Sequence, residues 1–154
     1  MNTNHTANVL LVEDNPGDVR LLKEFFNDQD RATELNVVTN GIDALSYVRR
    51  EEPYKDSLQP DLIILDLNLP RMSGIEVLRT IKNDDILKHI PVLILTTSNA
   101  DEDIFNAYEA HANAYLVKPL EFSHFATMVN KLKEFWLSVV HLPRVIPGLR
   151  GGGQ

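Results

Sequence analysis

The chain has no cysteine. That absence excludes disulfide frameworks, Cys-ligated zinc and thiol catalysis, and it suits a reducing compartment, so a cytoplasmic location is expected. No apolar run approaches the length of a membrane span; strand-like runs such as Leu62–Leu65 and Val92–Leu95 are only a few residues. The first residues, Met1 to Asn8, lack the basic-then-apolar order of a signal peptide. Basic residues are in the minority: the net charge is −7, spread along the chain, so a nucleic-acid backbone would be repelled over most of the surface. No glycine-rich phosphate loop follows the first strand-like run, and no glycines flank Ser98 as in a nucleophile elbow. The five histidines are scattered without metal-ligand spacing.

What remains is 154 residues, enough for one domain with a sizeable core and too few for two comfortable ones. Five times over, a short apolar run is followed by a helical pattern. The strands are expected at Val9–Glu13, Leu35–Thr39, Leu62–Leu67, Val92–Thr97 and Ala114–Val117. Asn15 and Pro16 open the first helix as N-cap and first helical residue. Further helices are expected at Gly41–Arg50, Gly74–Lys82 and Asp101–Ala110, with a long one from Glu121 to about Val140. The acidic start Asp101, Glu102, Asp103 suits a helix macrodipole. Strands that are apolar without alternation are buried on both faces, which predicts a parallel sheet with helices on each side. The fold expected is an α/β, flavodoxin-like doubly wound sheet of strand order 2-1-3-4-5. Residues 1–8 form a polar arm in this reading, 9–143 the domain, and 144–154 a flexible tail.

Ligands of open parallel sheets bind beyond the carboxyl ends of the strands. There the sequence puts Glu13 and Asp14 after the first strand, Asp66 after the third, Thr96, Thr97 and Ser98 at the end of the fourth, and Lys118 after the fifth. Each has an ordinary explanation alone: a helix cap, a strand end, a solvated lysine. Together, at one edge, they have no packing role. Two carboxylates about 5 Å apart repel by roughly 3 kcal/mol at an effective dielectric of 20. Lys118 offers one counter-charge, and a hard divalent cation, Mg²⁺ or Mn²⁺, a better one. An aspartate beside such a cation can act as a nucleophile toward phosphorus.

The segments Val-Leu-Leu-Val-Glu-Asp-Asn at 9–15, Leu-Ile-Ile-Leu-Asp-Leu-Asn-Leu-Pro with Gly74 at 62–74, Leu-Thr-Thr-Ser at 95–98 and Tyr-Leu-Val-Lys-Pro at 115–119 resemble the receiver domain of bacterial response regulators. The resemblance implies that Asp66 is the phosphoacceptor in a Mg²⁺-dependent reaction. It implies that Asp14 binds the metal directly, Glu13 through water, and Asn68 by its backbone carbonyl. Thr96 and Lys118 would contact the phosphoryl group, Tyr115 would be the aromatic switch, and the Lys118–Pro119 peptide would be cis. Thr97 departs from the pattern, standing where a smaller residue is common.

Leu95–Ser98 with Asp101–Ile104 and Ala107–Tyr108, then Phe135–Leu137 with Leu142–Pro143, resemble the small regulators paired with bacterial and cyanobacterial phytochrome kinases. That branch implies a sensor histidine kinase, a phytochrome, as donor, an unidentified downstream protein as reader, and a homodimer through the last helices. On the final helix Phe125, Met128, Val129, Leu132, Trp136 and Val139 form one stripe. Phe122, Phe135 and Val140 widen it and Leu137 lies off it, exposed. Phe122, Phe135, Trp136, Leu137 and Val140 are therefore the candidate interface. Two other readings stay open. A phosphorylation-independent binding module could use the same fold. An Asp-nucleophile phosphatase would need a general-acid carboxylate two residues beyond Asp66, where Asn68 stands.

Overall fold

A computed structural model describes residues 6–27 and 33–143. The strands are β1 (Ala7–Val12), β2 (Thr33–Val38), β3 (Leu62–Leu65), β4 (Val92–Thr96) and β5 (Ala114–Val117). The helices are α1 (Pro16–Phe26), α2 (Gly41–Val48), α3 (Gly74–Lys82), α4 (Asp101–Glu109) and α5 (Phe122–Glu134), with a π-helical segment at Phe135–Val139. All strand pairs are parallel, in the order β2-β1-β3-β4-β5. The expected fold is therefore the observed one. β1 begins at Ala7, inside the stretch expected to be an arm. The expected tail, 144–154, lies outside the described residues.

Side chains alternate across the three central strands. Leu10, Val12, Ile63, Leu65, Val92 and Ile94 pack under α2, α3 and α4 with Leu45, Val48, Leu78, Ile81 and Ala107. Val9, Leu11, Leu62, Ile64, Leu93 and Leu95 pack under α1 and α5 with Leu22, Phe26, Phe125, Val129 and Leu132. Every residue of β3 is buried on one face or the other, which is why its sequence shows no alternation. Each such side chain contributes about 1.5–3 kcal/mol by leaving water.

Local signals set the helix starts. Asn15 Oδ1 accepts from the Asp18 backbone N–H at 3.0 Å, and Pro16 opens α1. Ser73 and Glu76 form a reciprocal capping box at α3. Gly74, the first residue of α3, lies against the chain just after β3: a Cβ there would meet the Asp66 carbonyl at 2.1 Å and Leu67 Cα at 2.6 Å. Only glycine allows that approach, so α3 forms a wall directly behind Asp66.

Candidate functional site

Strand register brings the chemistry together. Val12 pairs with Leu65, and the next residue of each strand is Glu13 and Asp66. The Asp66 N–H donates to the Val12 carbonyl at 3.0 Å, and the Glu13 N–H to the Val38 carbonyl at 3.1 Å, so both side chains start from fixed backbone. Thr96 pairs with Val117, and the Lys118 N–H donates to the Thr96 carbonyl at 2.7 Å. Lys118 Nζ then reaches across the strand ends to Glu13 Oε1 at 2.7 Å, Asp18 Oδ2 at 2.8 Å and Asp66 Oδ2 at 3.1 Å. Those three contacts occupy all three donors of the ammonium. Asp18 was not among the residues expected here. As an acid in the first turn of a helix it is explained by the macrodipole, and no sequence signal separates the two roles.

Charge is out of balance in this cluster. Carboxylate oxygens of Glu13, Asp14 and Asp66 all lie within 4.8 Å of one another; Glu13 and Asp66 are buried and Asp14 is exposed. Burial pushes the Glu13 carboxyl from its usual 4.5 up to about 7; the Lys118 hydrogen bond works against that rise and the Asp66 charge adds to it. Burial alone would lower the Lys118 ammonium, but the hydrogen bonds it donates to Asp18 and Glu13 and the charges of Glu13 and Asp66 outweigh it and hold the group above its usual value. One ammonium thus stands against four carboxylates, in contact with three of them. The donors are all oxygen, and Asp14 opens onto a groove of about 600 Å³ lined by Pro16, Val19, Arg20 and Thr39 among others. The set fits Mg²⁺ or Mn²⁺, hard cations that take a few carboxylates and keep water.

Asn68 and Thr96 close the other side. The Asn68 backbone N–H donates to Asp66 Oδ1 at 3.1 Å, and its side-chain amide points at Thr96 Oγ1, 3.5 Å away. Thr96 is fully buried. Among the described residues the cis peptide is Glu52–Pro53, not the expected Lys118–Pro119; Lys118 reaches all three carboxylates without it.

The response regulator receiver domain family matches residues 9–130, a span that includes every residue of this cluster. The chain belongs to that family. It is similar to the response regulator Rcp1 of Synechocystis sp., with 41% identity over 88% of this chain and 92% of the relative. Among solved structures it is similar to the phosphorylated cyanobacterial phytochrome response regulator RcpA, with a TM-score of 0.89 and 42% identity over 91% of this chain and 100% of that one. The Mn²⁺-bound form of Rcp1 matches with a TM-score of 0.87 and 40% identity, covering 90% of this chain and 99% of that one.

In this receiver domain Tyr115 is half-buried, and its hydroxyl donates to the Ser98 carbonyl at 3.0 Å. The loop that begins one residue past Thr96 is thereby tied to β5. Ser98 Oγ in turn donates to Asp103 of α4 at 2.5 Å. The receiver's last helix departs from expectation. The α-helix ends at Glu134 and continues with wider turns, closed by the Val140 N–H on the Phe135 carbonyl at 2.8 Å. The change of winding moves the stripe. Leu137, expected to be exposed, joins Trp136 against the core under α1 and α5, while Val139, expected inside, faces solvent. Phe122 and Phe135 are exposed; Val140 is half-buried. Lys133, which the sequence reading passed over, is buried, with Nζ donating to the Phe25 carbonyl at the end of α1 and lying 5.8 Å from the Phe26 ring centroid.

Proposed function

We propose that this receiver accepts a phosphoryl group on Asp66 from a sensor histidine kinase and passes the signal on through protein contacts. The single observation that carries the reading is Asp66 itself: buried, backed by Gly74, 3.1 Å from a lysine ammonium and within a carboxylate set fit for a divalent cation. An Asp66 carboxylate oxygen forms the new P–O bond as the bond from phosphorus to the donor breaks, its electron pair leaving with the donor. Lys118 turns an N–H from Asp66 to a phosphoryl oxygen, and the Thr96 hydroxyl, at the same edge, donates to another. A bound Mg²⁺ would supply charge neutralisation, held by Asp14, Asp66, Glu13 and the Asn68 carbonyl. Phosphorylation then favours one arrangement of the Thr96–Ser98 loop over another, and Tyr115 follows it.

The likeness to Rcp1 and RcpA supports a phytochrome kinase as donor and a cytoplasmic setting. Small phosphodonors serve slowly, and the aspartyl phosphate hydrolyses without a partner. The receiver unit runs from β1 to Pro143. It pairs with a second copy through Phe122, Phe135, Trp136 and Val140, with the half-buried Leu137 beside Trp136. Incubation with acetyl phosphate and Mg²⁺ adds one phosphoryl group, read as intact mass, and Asp66→Asn abolishes the addition. Undiminished labelling of the variant would sink the assignment.

A further inference from the structure

We infer that Asp18 is a positioning residue: it keeps the Lys118 ammonium in the site once a divalent cation has engaged the other carboxylates. The inference deepens the reading of Asp66 as acceptor and rests on it. Lys118 Nζ is held by Glu13 at 2.7 Å, Asp18 at 2.8 Å and Asp66 at 3.1 Å. The carboxylates whose oxygens cluster closely enough for one cation are Glu13, Asp14 and Asp66; Asp18 is outside that set. A cation bound there draws the electron density of two of the three acceptors of Lys118 and repels the ammonium itself. Asp18 alone is left to Lys118 undivided.

The residue is well placed for the task. It stands in the first turn of α1, its backbone N–H fixed by Asn15 Oδ1 at 3.0 Å, and its side chain is only partly exposed. A carboxylate on a helix start set by Asn15 and Pro16 moves less than one on a loop, so the lysine is held in reach of a phosphoryl oxygen. An ordinary acid serving the helix dipole would face solvent rather than a buried lysine across the sheet edge.

The test uses the full chain with Mg²⁺ and beryllofluoride as a non-covalent phosphoryl mimic. Asp18→Asn weakens beryllofluoride binding about tenfold, and the same substitution in a Lys118→Ala background changes it by less than about twofold. Asp18→Glu, which keeps the charge, stays near the unaltered protein. The Lys118 ammonium resonance in ¹⁵N-correlated NMR with Mg²⁺ is present in the unaltered protein and in Asp18→Glu, and is lost to solvent exchange in Asp18→Asn. That signal decides the matter where Lys118→Ala binds too weakly to measure. An equal loss in both backgrounds, or an ammonium signal unchanged in Asp18→Asn, would overturn the role while leaving Asp66 as acceptor. Failure of the unaltered chain to bind beryllofluoride at all would overturn the acceptor reading and this inference with it.

Discussion

At the carboxyl ends of β1 and β5, Glu13 is 1% exposed and Lys118 8%, whereas on α5 and its π-helical continuation Phe122 is 59% exposed and Phe135 50%. Buried charge and exposed aromatic are the two departures from ordinary partition that carry information. They differ in how each is compensated. The buried charges hold one another through Lys118, so the first region is satisfied within the chain but short of positive charge. The exposed rings have an edge-on contact between Phe135 and Trp136, centroids 5.6 Å apart, and a tilted one between Phe25 and Phe122 at 6.3 Å, yet both outer faces meet solvent. One region is incomplete in charge, the other in cover. A cation answers the first and a protein surface the second.

The contrast breaks most severely at Lys118. Removing one partner of a buried ion pair leaves the others uncompensated, at a cost of about 3–5 kcal/mol. Lys118→Ala is therefore expected to lower the melting temperature sharply without metal and to recover much of the loss with Mg²⁺. It keeps Mg²⁺ binding, since metal and ammonium repel, but loses the downstream response to phosphorylation. Calorimetry with and without Mg²⁺ reads both; loss of Mg²⁺ binding in the variant would show the lysine to be part of the metal's own support.

Next in size is the metal itself. A cation bound to the folded state alone stabilises it by about 2.7 kcal/mol at a hundredfold excess over its dissociation constant. Asp14→Ala should remove most of that gain at little cost to the metal-free protein, because Asp14 is exposed. A melting temperature unmoved by millimolar Mg²⁺ in the unaltered chain would contradict the charge deficit.

This half of the molecule was legible in the sequence for a geometric reason. Glu13, Asp66 and Lys118 each follow a strand directly, and a parallel sheet aligns all strand ends at one edge, so order along the chain was enough to gather them. Asp18 was hidden because its first-turn position already had an explanation. Leu137 and Val139 were misplaced because a stripe drawn at constant helical winding fails where the winding changes at Phe135, and no Pro or Gly in Phe122–Val139 marks the change. Lys133 was unreadable for a different cause: its buried ammonium is paired with a carbonyl of another helix, a contact between backbone and side chain that leaves no pattern in sequence.

A smaller effect sharpens the first region through pH. In the metal-free protein the Glu13 carboxyl is raised to about 7 from 4.5, so the folded state binds the extra proton between those values. The resulting stabilisation is fully present below the unfolded value and is lost as pH rises through about 7. Lys118, held above its usual value, keeps its contribution throughout that window and loses it only in strong alkali. Against Glu13→Gln, the unaltered protein in chelator should gain relative stability as pH falls from 8 to 5.5, and Mg²⁺, which favours the carboxylate, should shrink the gain. An identical pH dependence in the two proteins would remove Glu13 from the account.

The smallest effect on the folded chain is expected on the aromatic side. Phe135 contributes little to the core, so Phe135→Ser should alter monomer stability by no more than about 0.5 kcal/mol. Its consequence is in assembly. A two-fold contact would place the same patch, Phe122 and Phe135 with Trp136 and Val140 at its margin, against its own copy, and each ring would lose its water-facing side. With Leu137 packed beside Trp136 against the core, Phe135 and Val139, four residues apart, are both exposed at the helix end. The unaltered chain should scatter light as a dimer at micromolar concentration and Phe135→Ser as a monomer. Beryllofluoride with Mg²⁺ should shift the equilibrium of the unaltered chain only, because the Tyr115 hydroxyl on the Ser98 carbonyl links the acidic edge to β5, which precedes α5 directly. A strict monomer in both states would leave Phe122 and Phe135 free for a different protein, and the acidic edge would then signal without a second copy.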